Sequence, residues 1–83
     1  MLSNDLKKGD RVVLHNGWKA TIEDNKKGNT RMATVEGFAT EIGSIYAWDI
    51  KGKVDFQSGN ILDTIELTAK QSKAKAAVNA WGF

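Results

Sequence analysis

The stretch RVVLHNGWKATIEDNKKGNTRMATV, residues 11–35, decides the fold. Its β-branched and apolar residues alternate with polar ones, and two turn-forming segments, HNG and DNKKGN, interrupt the alternation. A period of two is typical of strands that bury one face against a core. The stretch therefore predicts three antiparallel strands joined by two short turns.

The first of these turns fixes the register of the first hairpin. A two-residue turn at Asn16 and Gly17 would put the apolar residues of the two strands on opposite faces of the sheet. A three-residue loop at residues 16–18 puts them all on one face, and a slip by one residue would undo this arrangement. We therefore predict the three-residue loop, with Trp18 at the hairpin tip. The pairs that this register predicts are Leu14 with Ala20 and Val12 with Ile22.

The segments after residue 35 continue the pattern to residue 67. Turn residues recur about every 8 to 12 positions, which is the spacing of a small sandwich or barrel. We predict a loop or bulged edge at FATEIG (38–43), a strand at SIYAWDI (44–50), a turn at KGK (51–53), and strands at VDFQ (54–57) and ILDTIEL (61–67). Both faces of SIYAWDI are largely apolar, so we predict that it is a central strand.

The last segment, LTAKQSKAKAAVNAWGF, is rich in helix formers. Thr68 and Gln71 fit the capping box that begins a helix, and Gly82 fits the glycine that follows one. Apolar residues recur at helical spacing and form one narrow stripe: Ala74, Ala77, Val78 and Trp81. We therefore predict a helix over 68–83 that packs on the strands, with Trp81 as its anchor.

Length and composition limit the architecture. A chain of 83 residues makes one small domain, which buries roughly 60% of the surface that its unfolded form exposes. The chain has no cysteine, which excludes disulfides and thiolate metal sites. It has no apolar run long enough for a signal peptide or a membrane span, which predicts a cytoplasmic protein without membrane contact. We predict a mainly β domain at 1–83, with an antiparallel barrel of five or six strands at 1–67 and a helix at 68–83.

The net charge of +2 is unevenly distributed along the chain. Residues 1–31 hold seven Lys and Arg against four Asp and Glu, and residues 68–83 hold three Lys and no acid. Residues 32–67 hold six acids against two Lys. The blocks of +3, −4 and +3 predict either a dipolar surface or, if folding interleaves them, an ordinary mixed one.

KKGDRVVLHNGWKATI, residues 7–22, resembles the first strands of small SH3-like barrels of the KOW type. The shared pattern is a Gly-Asp pair before an alternating strand, then a glycine-containing turn and a second strand, and it extends to about residue 35. A KOW segment normally has a basic residue and a glycine just after the central turn, where this chain has Trp18 and Lys19. The resemblance implies a barrel that binds nucleic acid, ribonucleoprotein or other proteins, since fold alone does not fix function.

The run NGWKATIEDNKKGNTRMATVEGF…GSIYAWDI, together with the lysine-rich terminal segment, is similar to small uncharacterised proteins of tailed bacteriophages. That similarity implies no settled activity. It implies a location in the cytoplasm of the host cell.

The sequence does not predict an enzyme. Its one histidine, His15, lies beside a hairpin turn and has no second histidine or cysteine with which to bind zinc. Glu23 and Asp24 are adjacent at a strand end, which is ordinary turn chemistry. The segment KKGNTR lacks the spacing of a phosphate-binding P-loop. We therefore expect a binding module without catalytic residues, metal or cofactor.

The basic residues of the first three strands and their loops predict contact with nucleic acid. Lysines there would neutralise phosphates, and Trp18 would offer a stacking face, if neighbouring loops gather at one end of the barrel. The alternative is that these lysines only keep strand edges soluble and that Trp18 covers a small core. The residues of the predicted nucleic-acid site are Lys7, Lys8, Trp18, Lys19, Lys26, Lys27 and Arg31.

The terminal helix predicts a different function, as a protein-interaction or assembly module. Its thin apolar stripe would pack on its own barrel, on a second copy in a homo-oligomer, or on a host protein that the chain inhibits. The acidic middle block would then face a basic partner surface. The residues of this predicted interface are Lys70, Lys73, Val78 and Trp81.

Overall fold

The structure is a computed structural model that describes residues 1–24 and 28–80. Within these ranges the chain forms six strands and one α-helix, with 3₁₀ turns at Ser3–Asp5 and Ala47–Asp49. The strands are β1 (Arg11–Leu14), β2 (Lys19–Ile22), β3 (Thr30–Glu36), β4 (Thr40–Tyr46), β5 (Ile50–Val54) and β6 (Ile61–Thr64). The helix, α1, covers Ala69–Ala80.

The strands form a single antiparallel sheet in the order β4-β3-β2-β1-β5-β6. The mainly β class and the helix at the end of the chain are therefore confirmed. The sheet is not closed into a barrel in the described part of the chain, because its outermost strands, β4 and β6, do not pair with each other. It consequently has two edges. No helix in the described ranges is long and apolar enough to cross a bilayer.

One face of the sheet carries the core. The side chains that we predicted to face inward are all buried: Val12, Leu14, Ala20 and Ile22. Ala33 from β3 and Ile50 from β5 join this cluster, and Leu6, which follows the first 3₁₀ turn, covers it. The apolar alternation in residues 11–35 thus correctly identifies the buried face of three neighbouring strands.

The register of the first hairpin differs from the predicted one by two residues. Val12 pairs with Ala20, and the N–H of Leu14 donates to the oxygen of Trp18 at 2.8 Å. The loop has three residues, as predicted, but they are residues 15–17. The reason is Gly17, whose φ of +90° supplies the left-handed residue that a three-residue loop needs in its last position. A shift of two leaves the buried face unchanged, and Trp18 moves from the tip to the start of β2.

The prediction of a central strand at residues 44–50 is wrong. Tyr46 ends β4, which is an edge strand, and Ile50 begins β5. The 3₁₀ turn between them is held by Asp49, whose carboxylate accepts the N–H of Tyr46 at 3.0 Å. The alternation of aromatic residues therefore reflects a turn with one buried aromatic, Trp48, and not a strand with two apolar faces.

Two turn predictions nearby are also corrected. Residues 40–43, predicted as a loop or bulged edge, belong to β4, and the connecting turn is confined to residues 37–39. The predicted turn at residues 51–53 lies inside β5, and the strand predicted at 54–57 keeps only Val54. Gly52 is in this strand because a Cβ there would lie 2.6 Å from the backbone oxygen of Asp63, so its absence lets β5 and β6 approach.

The capping box of the helix is confirmed. The hydroxyl of Thr68 accepts the N–H of Gln71, the side-chain oxygen of Gln71 accepts the N–H of Thr68, and both distances are 3.1 Å. Ala74 and Val78 of the predicted stripe are half-buried, whereas Ala77 is exposed. Trp81 and Gly82, predicted as the anchor and the terminating glycine, lie outside the described residues.

Candidate functional site

A groove of about 530 Å³ runs along the outer edge of β4. Five consecutive residues, 41–45, form one side of it, and the end of the β1–β2 hairpin forms the other with Leu14, His15 and Asn16. Successive side chains of a strand point to opposite faces. A groove lined by five in succession therefore follows the edge of the strand, where the backbone N–H and C=O groups lie.

The floor of the groove is apolar and has room for a ligand side chain. Val35 and Ile45, which pack against the core, and Leu14, which belongs to it, lie along the floor. Gly43 lines the groove and pairs with buried Ala33, so it is on the core side of β4. A Cβ built on Gly43 meets nothing within 4 Å. The groove is thus open where a side chain of β4 would otherwise fill it.

The charged residues that line the groove are both acidic. Glu41 and Asp49 contribute carboxylates, whereas no Lys or Arg is part of the lining. Within the described ranges neither carboxylate is part of an ion pair. Asp49 also fixes the hairpin, because its backbone oxygen accepts the N–H of His15 at 2.9 Å. The groove therefore combines an apolar floor with negative potential.

Two aromatic residues stand at the rim. The ring of Trp18 contacts that of Phe38 edge-to-face, with centroids 5.5 Å apart and planes at 81°. Phe38 is fully exposed, and Trp18 keeps 38% of its surface exposed. Gly37 allows this pair, since a Cβ there would lie 2.6 Å from the Trp18 ring. Ile42 is 70% exposed on the same strand, so apolar surface is concentrated at this edge, as at many interaction sites.

The structure separates the residues of the predicted nucleic-acid site. Lys7 and Lys8 are exposed in the turn before β1, which is held to the far end of β2 by the N–H of Gly9 donating to the oxygen of Ile22 at 2.7 Å. Trp18 and Lys19 lie at the opposite end of β2. The stacking ring and these two lysines are therefore not together. Lys26 and Lys27 lie outside the described residues.

Arg31, the last residue of that predicted site, is buried with 1% of its surface exposed. Its guanidinium donates to four oxygens, those of the Ser3, Gly28 and Thr30 backbones and the Asn4 side chain. Burial lowers the pKa of Arg31 from its ordinary value, and the nearby Asp24 carboxylate opposes that shift. Arg31 thus holds the fold together and does not present its charge to a ligand at the surface.

Lys19 instead belongs to a cluster that the sequence did not indicate. Its ammonium lies 5.3 Å from the centre of the Phe56 ring, and the guanidinium of Arg11 lies 4.7 Å from the same ring. Both cations project from the face of the sheet opposite the core, where Phe56 reaches them from the β5–β6 turn. The pairing depends on a turn some 40 positions away in the chain, which no local pattern reveals.

The residues of the predicted helix interface are only partly described. Lys70 and Lys73 are exposed on α1, Val78 is half-buried, and Trp81 is outside the described ranges. His15 is exposed in its loop, and the described residues contain no group of three or more side chains suited to a metal ion. The helix interface therefore stays a prediction.

The sequence reasoning missed the groove. It treated residues 38–43 as a loop, so the edge strand that borders the groove had no place in the prediction. The pattern TEIGSIY was visible, with apolar residues at Ile42 and Ile45, but Gly43 was interpreted as a break. No protein-family model, curated protein or solved structure matches this chain, so the KOW and phage resemblances stay predictions.

Proposed function

We propose that this protein is a non-enzymatic binding module that holds a segment of a partner protein in the groove beside β4. The observation that supports the proposal is the composition of β4. Edge strands are normally protected by lysine, proline or a bulge. The seven residues of β4, TEIGSIY, contain neither lysine nor proline and pair residue by residue with β3 without a bulge. An edge left open in this way is suited to binding.

The size and the rim of the groove support the same function. Ligand sites commonly have volumes of about 300–1,000 Å³ and apolar linings with a few polar groups. The groove falls in this range, and Trp18 and Phe38 add the aromatic surface that is enriched at protein interfaces. Two carboxylates without an adjacent base, nucleophile or metal cluster do not form a catalytic arrangement.

The finer fold assignment belongs to the same proposal. We take the sheet to be an open variant of the SH3-like barrel that residues 7–35 resemble. Strands β1 to β4 follow one another as a meander, and β5 returns to pair with β1. This return brings the 3₁₀ turn before β5 next to the first hairpin, where Asp49 and His15 are hydrogen-bonded. The groove lies in the gap between that hairpin and β4.

The test is a selection of peptides from a random display library on the full-length chain. Gly43→Val serves as the blocked variant, because it puts a side chain into the groove where a Cβ meets no atom. Thr40→Val is the matched control, since it adds the same side chain to β4 outside the groove lining. We expect clones that bind wild type and Thr40→Val and lose at least tenfold in affinity on Gly43→Val. Selection of no clone with this preference would refute the proposed function.

A second function, nucleic-acid binding, has one supporting observation. Arg11 and Lys19 flank Phe56 on the face of the sheet away from the core. Cations around an aromatic ring are typical of sequence-tolerant contacts with single strands. Binding of a labelled oligothymidylate at low salt should then weaken steeply with added salt and should depend on both cations. Equal binding by wild type and the double variant Arg11→Gln, Lys19→Gln would exclude this face.

A further inference from the structure

The outer edge of β4 offers an unused row of backbone hydrogen-bonding groups. On its inner side β4 pairs with β3 over seven residues, from Thr40 to Tyr46. Among the described residues no strand pairs with its other side. Backbone groups of an edge strand point alternately toward the neighbour and away from it. Residues 41–45 therefore present N–H and C=O groups to the groove that they line.

The side chains around this edge favour an extended ligand over a helical one. An added strand would lie about 4.8 Å from β4, with alternate side chains facing the core side of the sheet. On that side the groove provides the space above Gly43 and the apolar surfaces of Leu14 and Val35. A helix has a diameter of about 10 Å, and it would leave the backbone groups of β4 without partners.

The charge of the groove defines the ligand further. Glu41 lies on β4 itself, and Asp49 lies in the turn that follows this strand. A phosphate backbone or an acidic peptide would meet these two carboxylates with the same sign of charge, which is unfavourable. A lysine or arginine side chain would neutralise them, and its aliphatic stem would contact the apolar floor.

We propose that the groove binds an extended peptide segment with a lysine or arginine flanked by apolar residues, which adds to the outer edge of β4 as a further strand. Glu41 and Asp49 bind its cationic side chain, and the space above Gly43 receives an apolar one. The proposal rests on the proposed function and specifies the class of its ligand. It belongs to the mode of recognition in which backbone hydrogen bonds give affinity and alternate pockets give specificity.

Two synthetic heptapeptide pools test the charge of the ligand. Both carry mixed Val, Ile and Thr at six positions, and the centre is fixed as Lys in one pool and as Glu in the other. Backbone NMR of the ¹⁵N-labelled full-length chain is recorded as each pool is added. We expect saturable shifts for the Lys pool at the amides of residues 40–46 and 14–16, with at least fivefold weaker binding of the Glu pool. Glu41→Gln combined with Asp49→Asn should remove this preference, and the asparagine keeps the acceptor for Tyr46.

Alternate N-methylation of the peptides tests strand addition itself. Methylation at odd or even positions removes one of the two sets of backbone donors, and only one set faces β4. We expect one methylated series of the Lys pool to lose at least tenfold in affinity and the other to bind like the parent. Equal losses in both series, or equal affinity of the Lys and Glu pools, would overturn the proposal. Concentration-dependent shifts at residues 40–46 in the chain alone would overturn it in favour of a second copy on β4.

The outcome is separable from that of the library selection. Library clones that depend on Gly43 but lack a cation, or bind as helices, would leave the proposed function intact and refute the strand proposal. Failure of the library to give any groove-dependent clone would refute both. Groove-dependent clones enriched in lysine or arginine, together with the odd–even effect of methylation, would support both.

Discussion

Arg31 and Gln71 donate hydrogen bonds to the same acceptor, the backbone oxygen of Gly28, at 3.2 and 2.7 Å. Both also contact Ser3, where Arg31 reaches the backbone oxygen at 3.3 Å and Gln71 reaches the hydroxyl at 2.8 Å. The two side chains therefore connect the N-terminal 3₁₀ turn, the end of the β2–β3 loop, β3 and the helix. Because both are buried, these polar contacts replace an apolar core in this part of the molecule.

Arg31→Met should lower the free energy of unfolding by about 2 to 4 kcal/mol, since it leaves buried oxygens without donors. Urea unfolding of the full chain measures the change. Lys75→Met is the matched control, because Lys75 is exposed on the helix and its loss should cost under about 0.5 kcal/mol. Equal effects of the two substitutions would show that the hydrogen bonds of Arg31 do not stabilise the fold.

Gln71→Ala should lower the free energy of unfolding by about 2 kcal/mol, since it removes a helix cap and two buried hydrogen bonds. Gln57→Ala, in the exposed β5–β6 turn, is the control and should be near neutral. The shared acceptor predicts that the effects of Arg31→Met and Gln71→Ala do not add, with a coupling of about 0.5 to 3 kcal/mol. Strict additivity in the double variant would contradict the shared contact.

The sequence allowed prediction of those parts of the fold that depend on local pattern. The inward face of β1 to β3 follows from an alternation of apolar residues that only a strand satisfies. The cap of α1 follows from Thr68 and Gln71, whose spacing of three residues is itself the hydrogen-bonding pattern. In both cases the contacts lie within a hairpin or a single helical turn.

The parts that failed depend on distant contacts. Gly43 and Gly52 were taken as turn residues, yet both lie in strands because a neighbouring strand or an open groove occupies the place of a side chain. Arg31 was assigned to the surface, since nothing in its own strand indicates that Ser3 and Gly28 supply acceptors. The groove follows from the edge position of β4, which is a property of strand order and not of any single segment.

Gly52→Ala should destabilise the protein by about 1 to 3 kcal/mol, because the new Cβ would clash with a backbone oxygen that has little freedom to move. The contact is with Asp63 at 2.6 Å, so the expected damage is a separation of β6 from β5. Amide hydrogen exchange should show lost protection in residues 61–64 before the rest of the sheet. Gly43→Ala is the matched strand control and should change stability by less than about 0.5 kcal/mol.

Gly37→Ala should displace the indole of Trp18 and affect the groove more than the fold. The new methyl would lie 2.6 Å from the ring, which must then rotate away from its contact with Phe38. Because the indole is at the surface and free to move, we expect a loss in stability of only about 1 kcal/mol, near the average for single substitutions. The indole N–H resonance of Trp18 should shift, and affinity for the Lys peptide pool should fall at least threefold. Phe38→Ser leaves Gly37 intact and removes the other partner of the ring pair, so it should weaken peptide binding without a change in stability. Full peptide affinity in both variants would show that the aromatic rim takes no part in binding.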